Sequence, residues 1–460
     1  MTTNIQNQWS SQAGFILAAI GSAVGLGNIW KFPYLTGEYG GGAFVIIYLI
    51  CVVLMGLPIM MAEVLLGKRG AGSPVASMRN LAKEAGQSRL WALLGWLGVI
   101  AGFLVLSYYS VIAGWTLDYV WNSASGTFAT NNTPSAIKSI FQNLIADPTY
   151  LLILHSIFML ATMIILARGV QGGLERAVKF MIPALFVVLI LLLAYAISTP
   201  KFMDGVHFMF DINFNKFFYP DGENFSGKGI LVAMGQAFFS LSLGMGAIMV
   251  YGAYLPKDTS IAKTTAIVVF ADTLVAILAG LIIFPIVFSN GLEPDAGVGL
   301  VFETLPIAFG QMPFGNIFGS LFFLLLTLAA LSSAISLIEP AIAWLVETGK
   351  CARVSATIVI GIATWLLGFV TIFSFNEWSE FKLFSMTMFE LIDYVTSNIM
   401  LPLGGIFMAI FVAWLMKSED VTSELKVSAQ NCGYQIWNFL LRYIIPLAVT
   451  LVLLNAIGIF

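Results

Sequence analysis

The sequence predicts an all-α polytopic membrane protein, with 11 transmembrane helices arranged as a 5+5 inverted repeat in which helices 1 and 6 are broken. Three observations carry that prediction. Hydrophobic residues make up 59% of the 460 and charged residues only 10%, with a mean hydropathy of +0.92. A soluble domain carries ~25% charged residues, so this surface could not be covered in water. The apolar residues also fall in runs long enough to cross a bilayer. Two of those runs, five spans apart, are interrupted by glycine.

The composition excludes several classes outright. A cytosolic enzyme, a nucleic-acid binder and a disordered chain all need more charge than this. The net charge of −3 suggests no polyanionic partner. Cys51, Cys351 and Cys432 are scattered, and His155 and His207 stand alone, so neither a disulfide framework nor a metal cluster is expected. No G-x-x-x-x-G-K-[ST] string is present, which speaks against ATP-driven transport.

Windows of about 20 residues place the spans near 13–36, 42–67, 91–121, 150–167, 173–198, 229–254, 262–289, 314–345, 354–374, 387–416 and 437–459. The first twelve residues hold no Lys or Arg and no small-residue cleavage site, so they do not read as a signal peptide. Most Lys and Arg fall in loops on the N-terminal side, from Lys68 and Arg69 to Lys417 and Lys426. The opposite loops hold Lys138, Lys201, Lys216, Lys228 and Lys382, while Lys31 and Arg442 lie within spans. The positive-inside rule then puts the N-terminus in the cytoplasm and the C-terminus outside. Two Asn-x-Ser/Thr matches, at Asn131 and Asn224, fall in outer loops but are too short to distinguish from chance. The whole chain, 1–460, reads as one transmembrane domain: 1–198 the first repeat, 229–416 the second, 437–459 an added helix.

Span 1 contains Gly21-Ser-Ala-Val-Gly-Leu-Gly-Asn28, and span 6 contains Ser240-Leu-Ser-Leu-Gly-Met-Gly246. These are poor helix formers at mid-bilayer. The two share a frame, Ala19-x-Gly21-x-Ala23 against Ala233-x-Gly235-x-Ala237, and each reaches a Leu-Gly pair, Leu26-Gly27 and Leu243-Gly244. Either one alone reads as close helix packing through small residues. Paired, they predict two broken helices. A break frees backbone N–H and C=O groups, which lipid tolerates only around a buried polar site. Free N–H groups suit a carboxylate and free carbonyls suit a small cation, so an anionic group and cations are expected at the midplane.

At this point the residues resemble a known family. Gly21-Ser-Ala-Val-Gly-Leu-Gly-Asn-Ile-Trp-Lys-Phe-Pro33, Gly40-Gly-Gly-Ala-Phe44, Gly235-Gln-Ala-Phe-Phe-Ser-Leu-Ser-Leu-Gly-Met-Gly246 and Leu331-Ser-Ser-Ala-Ile335 are similar to the neurotransmitter:sodium symporters, in their bacterial amino-acid branch. The resemblance runs from Trp9 to about span 11. It implies sodium-coupled symport by alternating access in the cell inner membrane, with an amino acid as the small-molecule cargo and no enzymatic activity.

Carried onto this chain, the family's first sodium site falls on the Ala23 carbonyl, Asn28, Ser240 and Asp272, together with the substrate carboxylate. The second falls on the carbonyls of Gly21, Val24 and Ala329 and the hydroxyls of Ser332 and Ser333. All are oxygen ligands, as a hard cation requires. Without the resemblance, Ser332 and Ser333 would read as hydroxyls bonded back to the preceding helical turn. The substrate carboxylate would meet the N–H groups of Leu26 and Gly27 and the Tyr109 hydroxyl, near Ala23. The side-chain pocket would be Val105, Tyr109, Phe239, Ser242, Met245, Ser333 and Leu337. Monoamine carriers of the family place an Asp where this chain has Gly25, so Gly25 favours amino acids. Met245, flanked by glycines, suits large side chains, which points to neutral aliphatic and aromatic L-amino acids.

The resemblance also implies gates. Lys31 and Asp393 match the outer pair, where Arg is usual, with Tyr109 and Phe239 as the lid. Glu347 holds the acidic position of the inner pair and Trp9 is retained, but Gln6 stands in place of the inner Arg. Glu63 matches a Glu that hydrogen-bonds the unwound part of span 1, and Glu339, beside Pro340, has no assigned role. Gly173 and Pro183 match a spacing associated in the family with unwinding of span 5. Two sodium ions and a zwitterion need a counter-charge. Asp272 supplies it, while Ala276 stands where some chloride-independent members carry Glu, so chloride independence is expected. On the empty return step a proton could replace sodium on Asp272. A sodium-dependent sensor that binds without net transport is the competing reading, resting on the lost inner Arg. A membrane enzyme lacks a nucleophile–base or metal constellation, and a passive channel lacks a repeated filter.

Overall fold

The computed structural model describes residues 9–131, 133–220, 224–256, 258–293, 299–349 and 351–456. The main helices, in chain order, are α1 (Gln12–Ala23), α2 (Gly27–Glu38), α3 (Gly42–Gly70), α4 (Pro74–Glu84), α5 (Arg89–Ala124), α6 (Pro148–Ala167) and α7 (Val170–Ser198). There follow α8 (Lys228–Ser240), α9 (Ala247–Ala253), α10 (Ile261–Ser289), α11 (Gly315–Gly349), α12 (Arg353–Ser374), α13 (Met388–Leu415) and α14 (Cys432–Ala456).

Among the described residues, 9 helices are long and apolar enough to cross a membrane, and α1 with α2, bent by 51°, makes a tenth. The expected count of eleven is not reached by this measure, because the sixth apolar run is not one helix. It is divided into α8, of 13 residues, and α9, of 7. Both breaks follow from the backbone. Val24, at φ −68° and ψ 109°, is extended and ends α1. Between α8 and α9, Ser242 (φ 52°), Gly244 (φ 82°) and Gly246 (φ 72°) take the left-handed region, which no right-handed helix can continue. Ser242 pays the Cβ penalty there, and its hydroxyl, bonded 2.8 Å from the Ser22 carbonyl, holds it in place.

Helix starts carry their own signals. Ser11 accepts from the Gly14 N–H at 3.1 Å ahead of α1, and Asp147 from the Tyr150 N–H at 3.0 Å ahead of α6, where Pro148 follows. A reciprocal Thr387–Glu390 capping box opens α13. The long helix α11 lies along α5, and α9 packs against α3. The outward faces are apolar at helical spacing: Ile153, Ile157, Leu160 and Ile164 on α6, and Ile358, Ile362 and Leu366 on α12. Lipid is the solvent that such faces fit. Of the spanning helices α14 is the most peripheral, with 17% of its apolar window buried against 72% for α11.

The α3–α9 contact has no room for a side chain at Gly252, where a Cβ would lie 2.7 Å from the Val64 carbonyl oxygen. Gly252→Val is expected to destabilise the fold by about 1–3 kcal/mol, read as a lower melting temperature in detergent. Adding Val64→Ala should not rescue it, because the clash is with backbone. An unchanged melting temperature would show that α9 is not held against α3.

Candidate functional site

The two helix breaks meet, the Ser242 hydroxyl of one on the Ser22 carbonyl of the other, and side chains satisfy the backbone groups they free. The Gly25 N–H donates to Asn28 Oδ1 at 3.1 Å and the Leu26 N–H to the Tyr109 hydroxyl at 3.4 Å. The Gly27 carbonyl accepts from Gln236 Nε2 at 2.9 Å. In the second break the Gly244 N–H donates to Glu63 at 3.1 Å. Glu63 thus holds the unwound part of the sixth span, not of the first as expected. It lies on α3, against which α9 packs, so the second break is the one within its reach.

Between the breaks lies a cavity. Its lining contains all ten residues expected to meet a substrate: Ala23, Leu26 and Gly27 from the first break, Val105 and Tyr109 from α5, Phe239, Ser242 and Met245 around the second break, and Ser333 and Leu337 from α11. Gly25, Asn28 and Ser240 complete it, so no charged side chain lines the cavity. A Cβ at Gly25 would lie 2.8 Å from the Ser333 hydroxyl and 3.1 Å from that of Tyr109. An acidic side chain there would have to displace both.

The residues expected at the first sodium site cluster beside this cavity. Asn28 Nδ2 donates to the Asp272 carbonyl at 3.1 Å and to its Oδ1 at 2.8 Å. The Ser240 and Tyr48 hydroxyls lie 3.1 Å apart. Asp272 is fully buried, and its Oδ2 has no hydrogen-bond partner among the described residues. An orphaned buried carboxylate oxygen beside an uncharged cavity is the donor a hard cation would use.

The residues expected at the second sodium site come together as well. The Ser333 hydroxyl lies 3.3 Å from the Gly21 carbonyl and 3.1 Å from that of Val24. The Ser332 hydroxyl donates to the Ala329 carbonyl at 3.0 Å, the back-bond that the helix alone would predict. Gly21 abuts Ser332: a Cβ on Gly21 would lie 3.1 Å from Ser332 Cβ.

The gates differ from expectation. Lys31 and Asp393 form no ion pair. Lys31 Nζ sits 4.7 Å from the centre of the Phe239 ring, while Asp393 accepts from the Tyr108 and Ser397 hydroxyls at 2.9 Å each. The single ammonium of Lys lacks the fork with which Arg could span to the carboxylate, and the aromatic face holds it instead. Phe239 and Tyr109 both line the cavity. On the opposite side, the Trp9 ring nitrogen donates to the Tyr251 carbonyl at 3.0 Å, and the ring packs edge-on against Tyr251 and Tyr254. Glu347 accepts from the Ser73 N–H at 3.0 Å, at the start of α4, and among the described residues it pairs with no cation. Gln6 lies outside the described residues.

A buried ion pair stands near Trp9. Arg353 Nη1 and Nη2 meet the two Glu339 oxygens at 3.0 and 2.5 Å, and Arg353 Nε donates to the Leu166 carbonyl at 2.9 Å. The Tyr254 hydroxyl donates to Glu339 at 3.1 Å. This network joins α9, α11, α6 and α12. Sequence reasoning left Glu339 unassigned and placed Arg353 in a loop, because a pairing across 14 residues and a helix end has no local signature. Gln236 and Tyr48 were also missed as site residues, although Gln236 stands inside one of the quoted strings.

A family model described as "Sodium:neurotransmitter symporter family" matches residues 6–139 and 138–460. The chain belongs to this family. The symporter is 38% identical over 455 residues to an uncharacterized sodium-dependent transporter YhdH of Bacillus subtilis, covering 98% of each chain. It is 33% identical to an uncharacterized sodium-dependent transporter of Haemophilus influenzae, covering 99% of each. Among solved structures, that of MhsT in complex with L-phenylalanine superimposes with a TM-score of 0.89 at 40% identity, over 98% of this chain and 99% of that one. The symporter is therefore a multi-pass, sodium-dependent membrane transporter and not an enzyme.

The Arg353–Glu339 pair makes a prediction. Removing one partner of a buried pair leaves the other charge uncompensated, at a cost of about 3–5 kcal/mol. Arg353→Ala is expected to lower the melting temperature markedly, and Arg353→Ala with Glu339→Gln to recover part of the loss. Equal melting of the single and double variants would mean that the pair carries no coupling energy.

Proposed function

We propose that this symporter couples two sodium ions to the uptake of neutral hydrophobic L-amino acids, aliphatic and aromatic, by alternating access. The observation that carries the reading is the cavity between the two helix breaks. It offers a backbone N–H and a tyrosine hydroxyl for a carboxylate, apolar walls in Val105, Phe239, Met245 and Leu337, and no charged side chain to hold a bare amine. A zwitterion brings its own carboxylate to such a site. The solved structure of MhsT with L-phenylalanine, at 40% identity, supports a hydrophobic amino acid as cargo.

In this reading the chain's own groups do the following. The Leu26 and Gly27 N–H groups and the Tyr109 hydroxyl hold the carboxylate. Ala23, Asn28, Ser240 and Asp272 hold the first sodium, which the carboxylate completes, so substrate and ion bind as one unit. Gly21, Val24, Ala329, Ser332 and Ser333 hold the second. Asp272 supplies the counter-charge, so chloride is not needed, and it can carry a proton back when the ions have left. Phe239 and Tyr109 close the outer side. On the inner side Trp9 and the Tyr254–Glu339–Arg353 network replace the ion pair that Gln6 and Glu347 do not make. The halves 1–198 and 229–416 act as inverted repeats, with 437–459 appended. The N-terminus is cytoplasmic, and the membrane is the cell inner membrane.

Amino-acid binding to the purified protein, screened by thermal shift, should be strong in sodium and weak in choline, because the coupling between ion and substrate is reciprocal. Equal binding in both salts would refute the shared site. Counterflow in liposomes separates transport from sensing: binding without exchange would favour a sensor. Uptake in sodium gluconate should equal uptake in sodium chloride, and Asp272→Asn should abolish it or make it chloride-dependent. An unaffected Asp272→Asn would remove that residue from the site. For size selection, Met245→Phe narrows a lined cavity, and overpacking costs about 1–3 kcal/mol. Tryptophan should lose about tenfold more affinity than leucine. Parallel losses would place Met245 outside the side-chain pocket.

A further inference from the structure

Far from the central cavity, at the edge of the molecule, a second cleft of about 500 Å³ opens between the end of α13 and the first half of α14. It lies on the side of the bilayer that carries Trp9: the chain leaves α13 into the helix Ser418–Leu425, whose Asp420 and Glu424 pair with Arg69 and Lys68 at the end of α3. Lys68 in turn donates to the Thr259 carbonyl, just beyond α9 and the Tyr254 carbonyl that accepts from the Trp9 N–H.

One residue in this cleft is out of place. Arg442 is the eleventh residue of α14 and lies level with the end of α13, stacked on Trp414, its last residue but one. A partly buried charge is costly unless paired. Among the described residues Arg442 makes no ion pair, and its Nε is buried without a hydrogen-bond partner. The nearby acids Asp420 and Glu424 are committed to Arg69 and Lys68. The side chain is nevertheless held. Its guanidinium lies 4.3 Å from the centre of the Trp414 ring and 5.9 Å from that of Tyr443. Trp414 is itself pinned, its Nε1 donating to the Arg442 carbonyl at 3.1 Å. The rings orient the cation, but they do not neutralise it.

The surroundings specify what would. Arg442 lines the cleft together with Asn438, one helical turn earlier on the same face. The guanidinium fork matches a phosphate with two parallel N–H···O bonds. Phe439, Tyr443 and Leu447, beside it on α14, are more than half-exposed or nearly so, at 53%, 50% and 64%, on the lipid-facing surface. Trp414, at the end of the span α13, marks the headgroup level. A positive, aromatic-rimmed cleft open sideways to lipid fits a headgroup with acyl chains, not an ion from bulk water. A zwitterionic headgroup would bring an ammonium beside the guanidinium; a net-negative one would not.

We propose that the cleft between α13 and α14 binds an anionic phospholipid, its phosphate on the Arg442 guanidinium and its acyl chains along Phe439, Tyr443 and Leu447. The bound lipid ties the peripheral α14 to α13.

The test is native mass spectrometry of the purified full chain in detergent, titrated with dioleoyl phosphatidylglycerol, with dioleoyl phosphatidylcholine, and with inorganic phosphate. The wild type should retain phosphatidylglycerol at lower concentration than phosphatidylcholine, and phosphate should not compete. Arg442→Gln should weaken phosphatidylglycerol retention about tenfold, the worth of a charge-assisted bond. Arg442→Lys keeps the charge without the fork; it should weaken retention by less, and it serves if the Gln variant does not fold. Equal retention in the wild type and both variants would overturn the proposal. So would displacement of the lipid by phosphate, or a lipid-free mass of two chains that falls to one in Arg442→Gln, which would assign the cleft to a second copy of this chain.

Discussion

A peptide group released from a helix inside a bilayer has no water to turn to, and each unsatisfied one costs several kcal/mol. Everything at the centre of this molecule answers to that constraint. The chain breaks two helices at mid-membrane, then satisfies the freed groups with side chains drawn from elsewhere: Tyr109 from α5, Gln236 from α8, Ser333 from α11 and Glu63 from α3. Each break is also bonded to the other, through the Ser242 hydroxyl on the Ser22 carbonyl. The site is therefore a by-product of backbone accounting. The groups that stabilise the broken helices are of the kind that would hold a carboxylate and desolvated cations.

The same accounting makes the site movable. A helix interior is held by its own ladder of bonds, whereas a break is held by a few side-chain contacts at its rim. Exchanging those contacts for other partners would leave the hydrogen-bond ladders of the flanking helices intact. The Ser333 hydroxyl, resting on the Gly21 and Val24 carbonyls, and the Leu26 N–H, resting on Tyr109, are bonds of this exchangeable kind. Coupling between ion and substrate then needs no long-range relay, since both would complete the same unsatisfied backbone.

Charge is handled more expensively. Glu63, Asp272 and Glu339 are fully buried, and each has a different solution. Glu339 has a cation, Arg353, and a tyrosine hydroxyl. Glu63 has the N–H of a broken helix on one oxygen, and its other oxygen, like Asp272 Oδ2, has no hydrogen-bond partner among the described residues. Asp272 has one carboxamide and an oxygen left over. Asp272 is bonded to Asn28, which lines the uncharged cavity, whereas Glu63 is bonded to the Gly244 N–H; that neighbour is why the proposed counter-charge falls to Asp272. Arg442 is the mirror case at the periphery: a buried donor held by aromatic faces, with no anion supplied by the described residues.

The sequence by itself determined the membrane, the helices and the positions of both breaks, because these rest on local properties. Apolar run length, the φ freedom of Gly244 and Gly246, and the poor helix propensity around Gly25 act over a few residues and can be read a few residues at a time. It also determined which residues would meet at the centre, but only because long strings resembled a family. Spacing alone could not have placed Val105 beside Met245, or Asn28 beside Asp272 across 244 positions. The tertiary structure decided the choice of partner. It set Lys31 on Phe239 in place of Asp393, gave Glu63 to the second break and not the first, and joined Glu339 to Arg353. The physical reason is range and reach. A buried polar side chain takes whichever complementary group lies within about 3 Å, and several candidates of the same charge compete for it. Which one comes that close depends on how helices distant in sequence pack, and that packing is not encoded in any single stretch of the chain.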